Sequence, residues 1–240
     1  MLNSPYWHIH PFASRGVTVR GCLVSSSHEG PETDGVDPDS SSDVLIEDCV
    51  IDTGDDAIAV KSGWDLPGIV FNMSSHDILV RNTVLSTGAN AFCMGSEMSG
   101  GVYNVACVNC TCADVDVCFR GKSSLGRGSF IRNISMTDTT VILAKTAIDV
   151  SDFYGGHPGP VNASLVPRVG GFSVLRMAGT FVEKAGNFEG LPQSNVTGIS
   201  LEDVRLDAPA GSWACVNVTG SWRNVTPAIT PAACAAIVEE

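Results

Sequence analysis

An apolar motif that recurs seven times constrains the fold of this chain more than any other feature of the sequence. Each copy has apolar or small residues at relative positions 0, 2, 5 and 7, and the copy starts are 27, 34, 27, 29, 38 and 27 residues apart. The copies begin at Val17, Val44, Ile78, Val105, Ile134, Phe172 and Ile199. Repeats of this length are typical of solenoids and propellers, in which each unit buries its apolar face against the next.

Each copy predicts short β-strands. Its apolar residues alternate with period two, which is the pattern of a strand with one buried face. The change from a spacing of two to a spacing of three predicts a bend, often at Asp or Asn, as at Asp48, Asn82 and Asn109. A second short strand follows later in most copies, for example around Ile58. No copy has a convincing helical period.

We therefore predict an all-β fold, a right-handed parallel β-helix in which like residues of successive coils stack ~4.8 Å apart. A β-propeller is the alternative, but four antiparallel strands do not fit into a 27-residue copy. We predict one domain over residues 1–240. Residues 208–240, where the motif fades into Pro, Gly and Trp, form its C-terminal cap.

The segment 32–65 concentrates carboxylates on this framework. It contains nine Asp and two Glu, interleaved with apolar pairs that a solvated acidic tail would lack. Calcium ligation or simple surface charge is the alternative interpretation. Stacking of adjacent coils places one set of polar residues roughly in a column: Asp34, Asp55, Asp56, Asn90, Arg120 and Lys122. Carboxylates next to cations in a groove suit a long, acidic polymer.

Composition limits the partners and cofactors of the chain. Of its 240 residues 44% are hydrophobic and 17% are charged, which is typical of a globular protein. The net charge of −12 argues against nucleic acid and anionic membranes, and no apolar run is long enough to span a bilayer. No metal is predicted, because the C-x-x-C pair lacks a second pair or spaced His. No cofactor is implied, and we expect a monomer.

Sequons indicate a secreted glycoprotein, although no signal peptide follows Met1. The sequon asparagines are Asn72, Asn109, Asn133, Asn162, Asn195, Asn217 and Asn224. We therefore expect an extracellular protein whose N-terminal part is missing from this chain.

The nine cysteines fall into two groups. Cys215 and Cys234 lie near the C-terminus among polar and Pro-rich residues, and in a secreted protein they are a plausible disulfide. The others lie in strand-like runs, where most are expected to be small buried apolar residues: Cys22, Cys49, Cys93, Cys107, Cys110, Cys112 and Cys118.

Four motifs in this order resemble those of glycoside hydrolase family 28, the polygalacturonases, and of its plant members in particular. They are E-T-D-G at 32–35, T-G-D-D at 53–56, G-S-E-M-S-G-G-V at 95–102 and R-G-K at 120–122. The resemblance runs from about Asn3 to Ala235. It implies a pectin-lyase-like β-helix and inverting hydrolysis of the α-1,4-galacturonosyl linkages of pectin, in modification of the plant cell wall.

The resemblance also implies catalytic roles for three aspartates. Asp55 is expected to be the general acid, while Asp34 and Asp56 hold and deprotonate the attacking water. An inverting enzyme is expected to separate acid and base by ~6.5–9.5 Å to leave room for this water. Neighbouring like charges are expected to raise the pKa of one aspartate.

Substrate binding is expected to involve several further residues. Arg120 and Lys122 resemble the family residues that grip substrate carboxylates, and Tyr154 aligns with a tyrosine that lines the subsite. Two departures concern the same site. Asn90 stands where many members have a His, and Glu32 replaces an Asn and adds a like charge beside the aspartates.

Two alternatives to hydrolysis remain open. One is a calcium-dependent pectate lyase, which uses an Arg base on a similar solenoid. The other is a fragment that binds pectin without turnover. The second arises because family members generally have several coils before this point, so an exposed solenoid end is expected to leave the isolated chain poorly folded or inactive.

Overall fold

The computed structural model describes residues 1–157, 159–230, 234 and 236–239, and its regular structure is almost entirely β. The strands are β1 (Thr18–Arg20), β2 (Leu23–Ser25), β3 (Ser42–Glu47), β4 (Val50–Thr53), β5 (Ile58–Val60), β6 (Ser75–Arg81), β7 (Val84–Met94), β8 (Val102–Val108), β9 (Thr111–Lys122), β10 (Phe130–Ser151), β11 (Arg168–Val169), β12 (Phe172–Glu189), β13 (Val196–Leu206), β14 (Trp213–Val216), β15 (Val218–Thr226) and β16 (Ile237–Glu239). One seven-residue helix, α1, spans Asp65–Phe71. Among the described residues, no helix has the length and apolar content needed to cross a membrane.

The strands form parallel stacks in which each coil pairs with the next. One stack runs in the order β1, β3, β6, β8, β10, β12, β13, β15 and β16, and a second joins β2, β4, β7, β9 and β10. The register pairs like motif positions, since Val19 lies opposite Ile46 and Ile46 opposite Val80. The prediction of a parallel β-helix is confirmed.

The four motif positions point into the core. In the second copy Val44, Ile46, Cys49 and Ile51 are all buried, and the same positions are buried in every later copy. Side chains of successive coils also stack. The ring centroid of Phe119 lies 5.7 Å from that of Phe92 and 5.7 Å from that of Phe172. In the first copy Val17 is only half-buried, because β1 pairs on one side with β3 alone.

Every copy bends at relative position 4, where the backbone is left-handed. The φ angle is 54° at Asp48, 51° at Asn82 and 54° at Asn109, as predicted for residues that tolerate this conformation. The side chains also bond between coils, since Asn109 Nδ2 donates to Asn82 Oδ1 at 2.9 Å. Arg176 is the exception in residue type, and it forms two hydrogen bonds to Asp138 of the preceding coil.

Two disulfides are present. One joins Cys215 to Cys234 and ties β14 to the C-terminal segment, which is the pair put forward from the sequence. The other joins Cys112 to Cys118, which corrects the expectation that both are reduced buried residues. Both lie in β9, whose curl around the core brings their Cα atoms to 5.7 Å, and strand alternation gives no sign of this curl.

Candidate active site

A groove of 460 Å³ runs across the coils and contains most of the residues that the sequence singled out. Its lining residues are Tyr6, Trp7, Glu32, Asp34, Asp39, Asp55, Asp56, Lys61, Gly63, Trp64, Ser96, Glu97, Lys122, Tyr154 and Gly156. Asp55 and Asp56 occupy the turn between β4 and β5. Asp34 lies on the adjacent coil, because Gly35 donates its backbone N–H to the carbonyl of Asp56 at 2.9 Å.

The three aspartates share one small volume. One carboxylate oxygen of each of Asp34, Asp55 and Asp56 lies within 4.8 Å of the other two. This closest approach of single oxygens is shorter than the ~6.5–9.5 Å expected between the acid and base of an inverting enzyme. The reason is that the groups come from adjacent residues and adjacent coils, and stacked strands are only ~4.8 Å apart. The same oxygens are close enough to hold a cation, which keeps the calcium alternative testable.

Asp56 is buried and fully hydrogen-bonded. Its Oδ2 accepts from Lys122 Nζ at 2.5 Å and from Cys93 Sγ at 3.0 Å, and its Oδ1 accepts from Asn90 Nδ2 at 2.5 Å. Burial by itself would raise the pKa of Asp56, but the charges of Lys122 and Lys61 and the bond from Cys93 lower it to about 2. Asp56 is therefore ionised at any ordinary pH.

Asp34 has the opposite titration. Burial raises its pKa to about 7, the Lys61 charge opposes this effect, and the neighbouring Asp56 and Asp55 add to it. The expectation of one aspartate with a raised pKa is met at Asp34, and burial is a larger cause than like charge. The two carboxyl groups thus differ in protonation state below pH 7, which is a pattern typical of acid/base sites.

Lys61, to which the sequence analysis assigned no role, is the cation at the centre of the acidic residues. Its Nζ lies 3.3 Å from Asp34, 3.9 Å from Asp37 and 3.7 Å from Glu97, and 4.4 Å from the ring centroid of Trp7. Burial opposes the charge of Lys61, but these three carboxylates raise its pKa above the ordinary value. A single buried ammonium thus offsets part of the acidic charge beneath the groove.

Arg120 and Lys122 are already paired with protein carboxylates. Arg120 Nη1 lies 2.7 Å from Asp149 Oδ2, and Lys122 bonds Asp56 as described. The Tyr154 ring connects the two, with its centroid 5.8 Å from Arg120 Cζ and 5.0 Å from Lys122 Nζ. Any further carboxylate that binds Arg120 must therefore compete with Asp149.

The two departures from the family motifs also lie at this site. Asn90 donates to Asp56 from its side chain and, at 3.3 Å, from its backbone N–H, so it supplies the hydrogen bond that a His could supply but does not titrate. Glu32 lines the groove, and its backbone N–H donates to Asp55 Oδ2 at 3.3 Å. Asp55 is the half-buried member of the three aspartates and faces the groove.

Comparison with known proteins gives consistent matches. Residues 1–234 match the glycosyl hydrolases family 28. A probable polygalacturonase of Vitis vinifera is 33% identical over 233 residues, which cover 95% of this chain and 48% of that protein. A polygalacturonase of Prunus persica is 28% identical over 97% of this chain and 58% of that protein.

Solved structures agree with these relatives. The exopolygalacturonase of Thermotoga maritima superposes with a TM-score of 0.78 at 31% identity, over 91% of this chain and 50% of that one. The polygalacturonase of Erwinia carotovora has the same fold, with a TM-score of 0.76 at 21% identity over 91% of this chain and 55% of that one. The chain spans about half the length of the relatives it matches. It belongs to glycosyl hydrolases family 28.

Proposed function

We propose that the protein hydrolyses the α-1,4-galacturonosyl linkages of pectin by acid/base catalysis. One observation carries the proposal: three aspartate carboxylates lie within 4.8 Å of one another in a groove that is open to solvent. The relatives named polygalacturonase support the same reaction class.

The roles follow from position and protonation. Asp55, which faces the groove, donates a proton to the leaving oxygen. Asp34 and Asp56 hold the attacking water between them. Asp34 accepts the proton of this water because its pKa of about 7 makes it the stronger base, and Asp56, with a pKa of about 2, stays ionised.

The substrate in this proposal is a pectic polysaccharide of the plant cell wall, reached by secretion and cleaved by a monomeric enzyme. All seven sequon asparagines are exposed, which supports passage through the secretory pathway. Arg120 and Tyr154 contact the uronate carboxylates at the end of the groove. The net charge of −12 makes a nucleic acid an unsuitable partner.

Digestion of polygalacturonate tests the proposal. Hydrolysis releases reducing ends without ultraviolet-absorbing unsaturated ends, and Asp55→Asn abolishes their release. The matched control is Asp116→Asn, a half-buried aspartate that pairs with Lys145 and is not among the groove-lining residues, which keeps wild-type rates. Unsaturated products that disappear in chelator indicate a lyase, and binding without any turnover indicates a pectin-binding fragment. Either result contradicts the proposal.

A further inference from the structure

A fully buried guanidinium lies directly behind one wall of the groove. It belongs to Arg127, in the turn between β9 and β10, and among the described residues it is the largest side chain with no exposed surface. A buried arginine is costly unless it is paired and hydrogen-bonded. Its contacts therefore indicate what this side chain does.

Three residues of the groove wall contact this one guanidinium. Arg127 Nε donates to the Ser96 carbonyl at 2.8 Å, and Nη2 donates to the Gly156 carbonyl at 2.5 Å. The Trp64 ring centroid lies 5.2 Å from Arg127 Cζ. Trp64, Ser96 and Gly156 all line the groove, and they come from three segments far apart in sequence.

The charge of Arg127 is neutralised by a carboxylate that is not among the groove-lining residues. Its Nη1 lies 2.5 Å from Asp65 Oδ1, at the first residue of α1. The Nδ1 atom of His157 lies 2.9 Å from the other oxygen of Asp65, and its Nε2 lies 3.1 Å from Ser124 Oγ. The cation is thus balanced within the protein and needs no substrate carboxylate as a partner.

Of the three wall segments, the one that carries Gly156 has the least other support. Tyr154 to Gly156 lie outside the regular strands, and Gly155 and Gly156 have φ angles of 77° and 67°. The Trp64 and Ser96 segments are joined by backbone hydrogen bonds, since Ser62 donates its N–H to the Glu97 carbonyl at 2.6 Å and Ser99 donates to the Gly63 carbonyl at 2.9 Å. Among the described residues, no such bond joins Gly155 or Gly156 to either segment, so backbone pairing does not fix the distance of the Gly156 segment from the other two. The planar fork of Arg127 does, because its five N–H donors point in fixed directions.

We propose that Arg127 is a positioning residue that holds the Gly156 segment at the distance from Trp64 and Ser96 that a galacturonan chain requires. This inference rests on the proposed function for the identity of the ligand. Arg127 does not touch the substrate. It acts through the wall residues, and through the Gly156 segment it also holds the nearby Tyr154 ring over Lys122.

Binding of trigalacturonate to Arg127→Lys and Arg127→Ala, each in an Asp55→Asn background, tests the proposal without any need for turnover. We expect affinity to fall at least about tenfold in both, because ligand binding must then also order the released wall residues. Lysine fails because it has no planar fork. The control is Arg168→Ala, an exposed arginine of β11, which binds like the parent.

Added guanidinium separates positioning from general destabilisation. Low concentrations of guanidinium are expected to restore binding to Arg127→Ala by filling the vacated site, whereas ammonium does not. Thermal unfolding midpoints identify the variants that fold. Wild-type affinity in folded variants, or lost affinity that guanidinium leaves unchanged, overturns the proposal. If neither Arg127 variant folds, Asp65→Asn replaces them as the test. This variant keeps the guanidinium of Arg127 but removes its charge partner. Unchanged affinity for trigalacturonate in Asp65→Asn contradicts the proposal.

A measurement without ligand separates this inference from the proposed function. Trp64 is 38% exposed, and iodide is expected to quench it more strongly in Arg127→Lys than in the parent. In a Trp64→Phe background the difference between the two proteins disappears. Equal quenching refutes the positioning role even if the enzyme hydrolyses galacturonan. Increased quenching in a protein that binds no galacturonan refutes the proposed function alone.

Discussion

Lys122 Nζ lies 2.5 Å from Asp56 Oδ2, and both side chains are almost completely buried. The pair links a coil that carries a candidate catalytic aspartate to a coil two steps further along the β-helix. Removal of one partner leaves an uncompensated buried charge, and this penalty is much larger than the net contribution of the intact pair.

Lys122→Met is therefore expected to destabilise the protein by about 3–5 kcal/mol and to abolish turnover, because Asp56 loses its counter-charge. Urea unfolding monitored by circular dichroism measures the first effect. The matched control is Lys145→Met, which removes an exposed pair with Asp116 and should change stability little. Equal unfolding midpoints for the two variants contradict this account of the pair.

The close spacing of the aspartates leads to a prediction about stereochemistry. Separations of ~5–5.5 Å are typical of retaining enzymes, in which one carboxylate attacks the sugar. Asp56 is poorly suited to attack, since Lys122, Cys93 and Asn90 already occupy its oxygens. We therefore expect water to attack and the first product to be the β-anomer. Proton NMR within the first minutes of digestion distinguishes the anomers, and an initial α-anomer refutes this prediction.

The pH profile tests the role of Asp34. Its pKa is raised from 3.8 to about 7, so it is mostly protonated below pH 7 and accepts a proton only when ionised. Because Asp55 must be protonated while Asp34 is ionised, we expect a bell-shaped dependence of kcat/KM on pH, in which the titration of Asp34 forms the limb near pH 7. Asp152→Asn is the control, because burial also raises the pKa of Asp152 to about 7 but this residue is not among those that line the groove. If Asp152→Asn removes the limb near pH 7, the titrating group is Asp152 and not Asp34, and the prediction is wrong.

In the proposed complex, Asp149 competes with a substrate carboxylate for Arg120. Asp149→Asn removes this competitor while Asn187 still bonds to the side chain at that position, so the local packing is kept. Since hydrogen bonds to charged groups contribute ~1.5–3 kcal/mol, trigalacturonate should bind about tenfold more tightly. Calorimetry at two salt concentrations measures the gain. Asp116→Asn should show none, and unchanged affinity in Asp149→Asn contradicts a substrate-binding role for Arg120.

The repeating part of the structure was predictable from sequence for a simple physical reason. In a parallel stack, each coil meets the same neighbours in the same register, so one motif describes the burial of all copies. Val44 and Val105 are both buried, and Asp48 and Asn109 are both left-handed, because each pair occupies equivalent places. The approach of Asp34 to Asp56 follows from the same stacking.

The non-repeating contacts were not predictable in this way. Arg127 contacts Asp65, which lies 62 residues earlier in the chain, and Lys61 lies close to Glu97. These contacts involve loops that do not follow the repeat of the motif. A partial signal existed for Lys61, since a lysine directly after the apolar strand β5 and in line with the aspartates predicts a buried ion pair. The partner of Arg120 was predictable by contrast, because Asp149 occupies the same place in the next copy and lies opposite Arg120 in the register.

The chain lengthens at places remote from the left-handed bend that every copy has at relative position 4. The copies that begin at Val44 and Ile134 are the longest, and their extra residues form α1 and the loop from Asp152 to Pro167 rather than wider coils. Trp64, directly before α1, and Tyr154 and Gly156 of the loop line the groove. Evolution can therefore change substrate preference by extending or replacing these two excursions, while the stacked coils beneath them keep the aspartates in register.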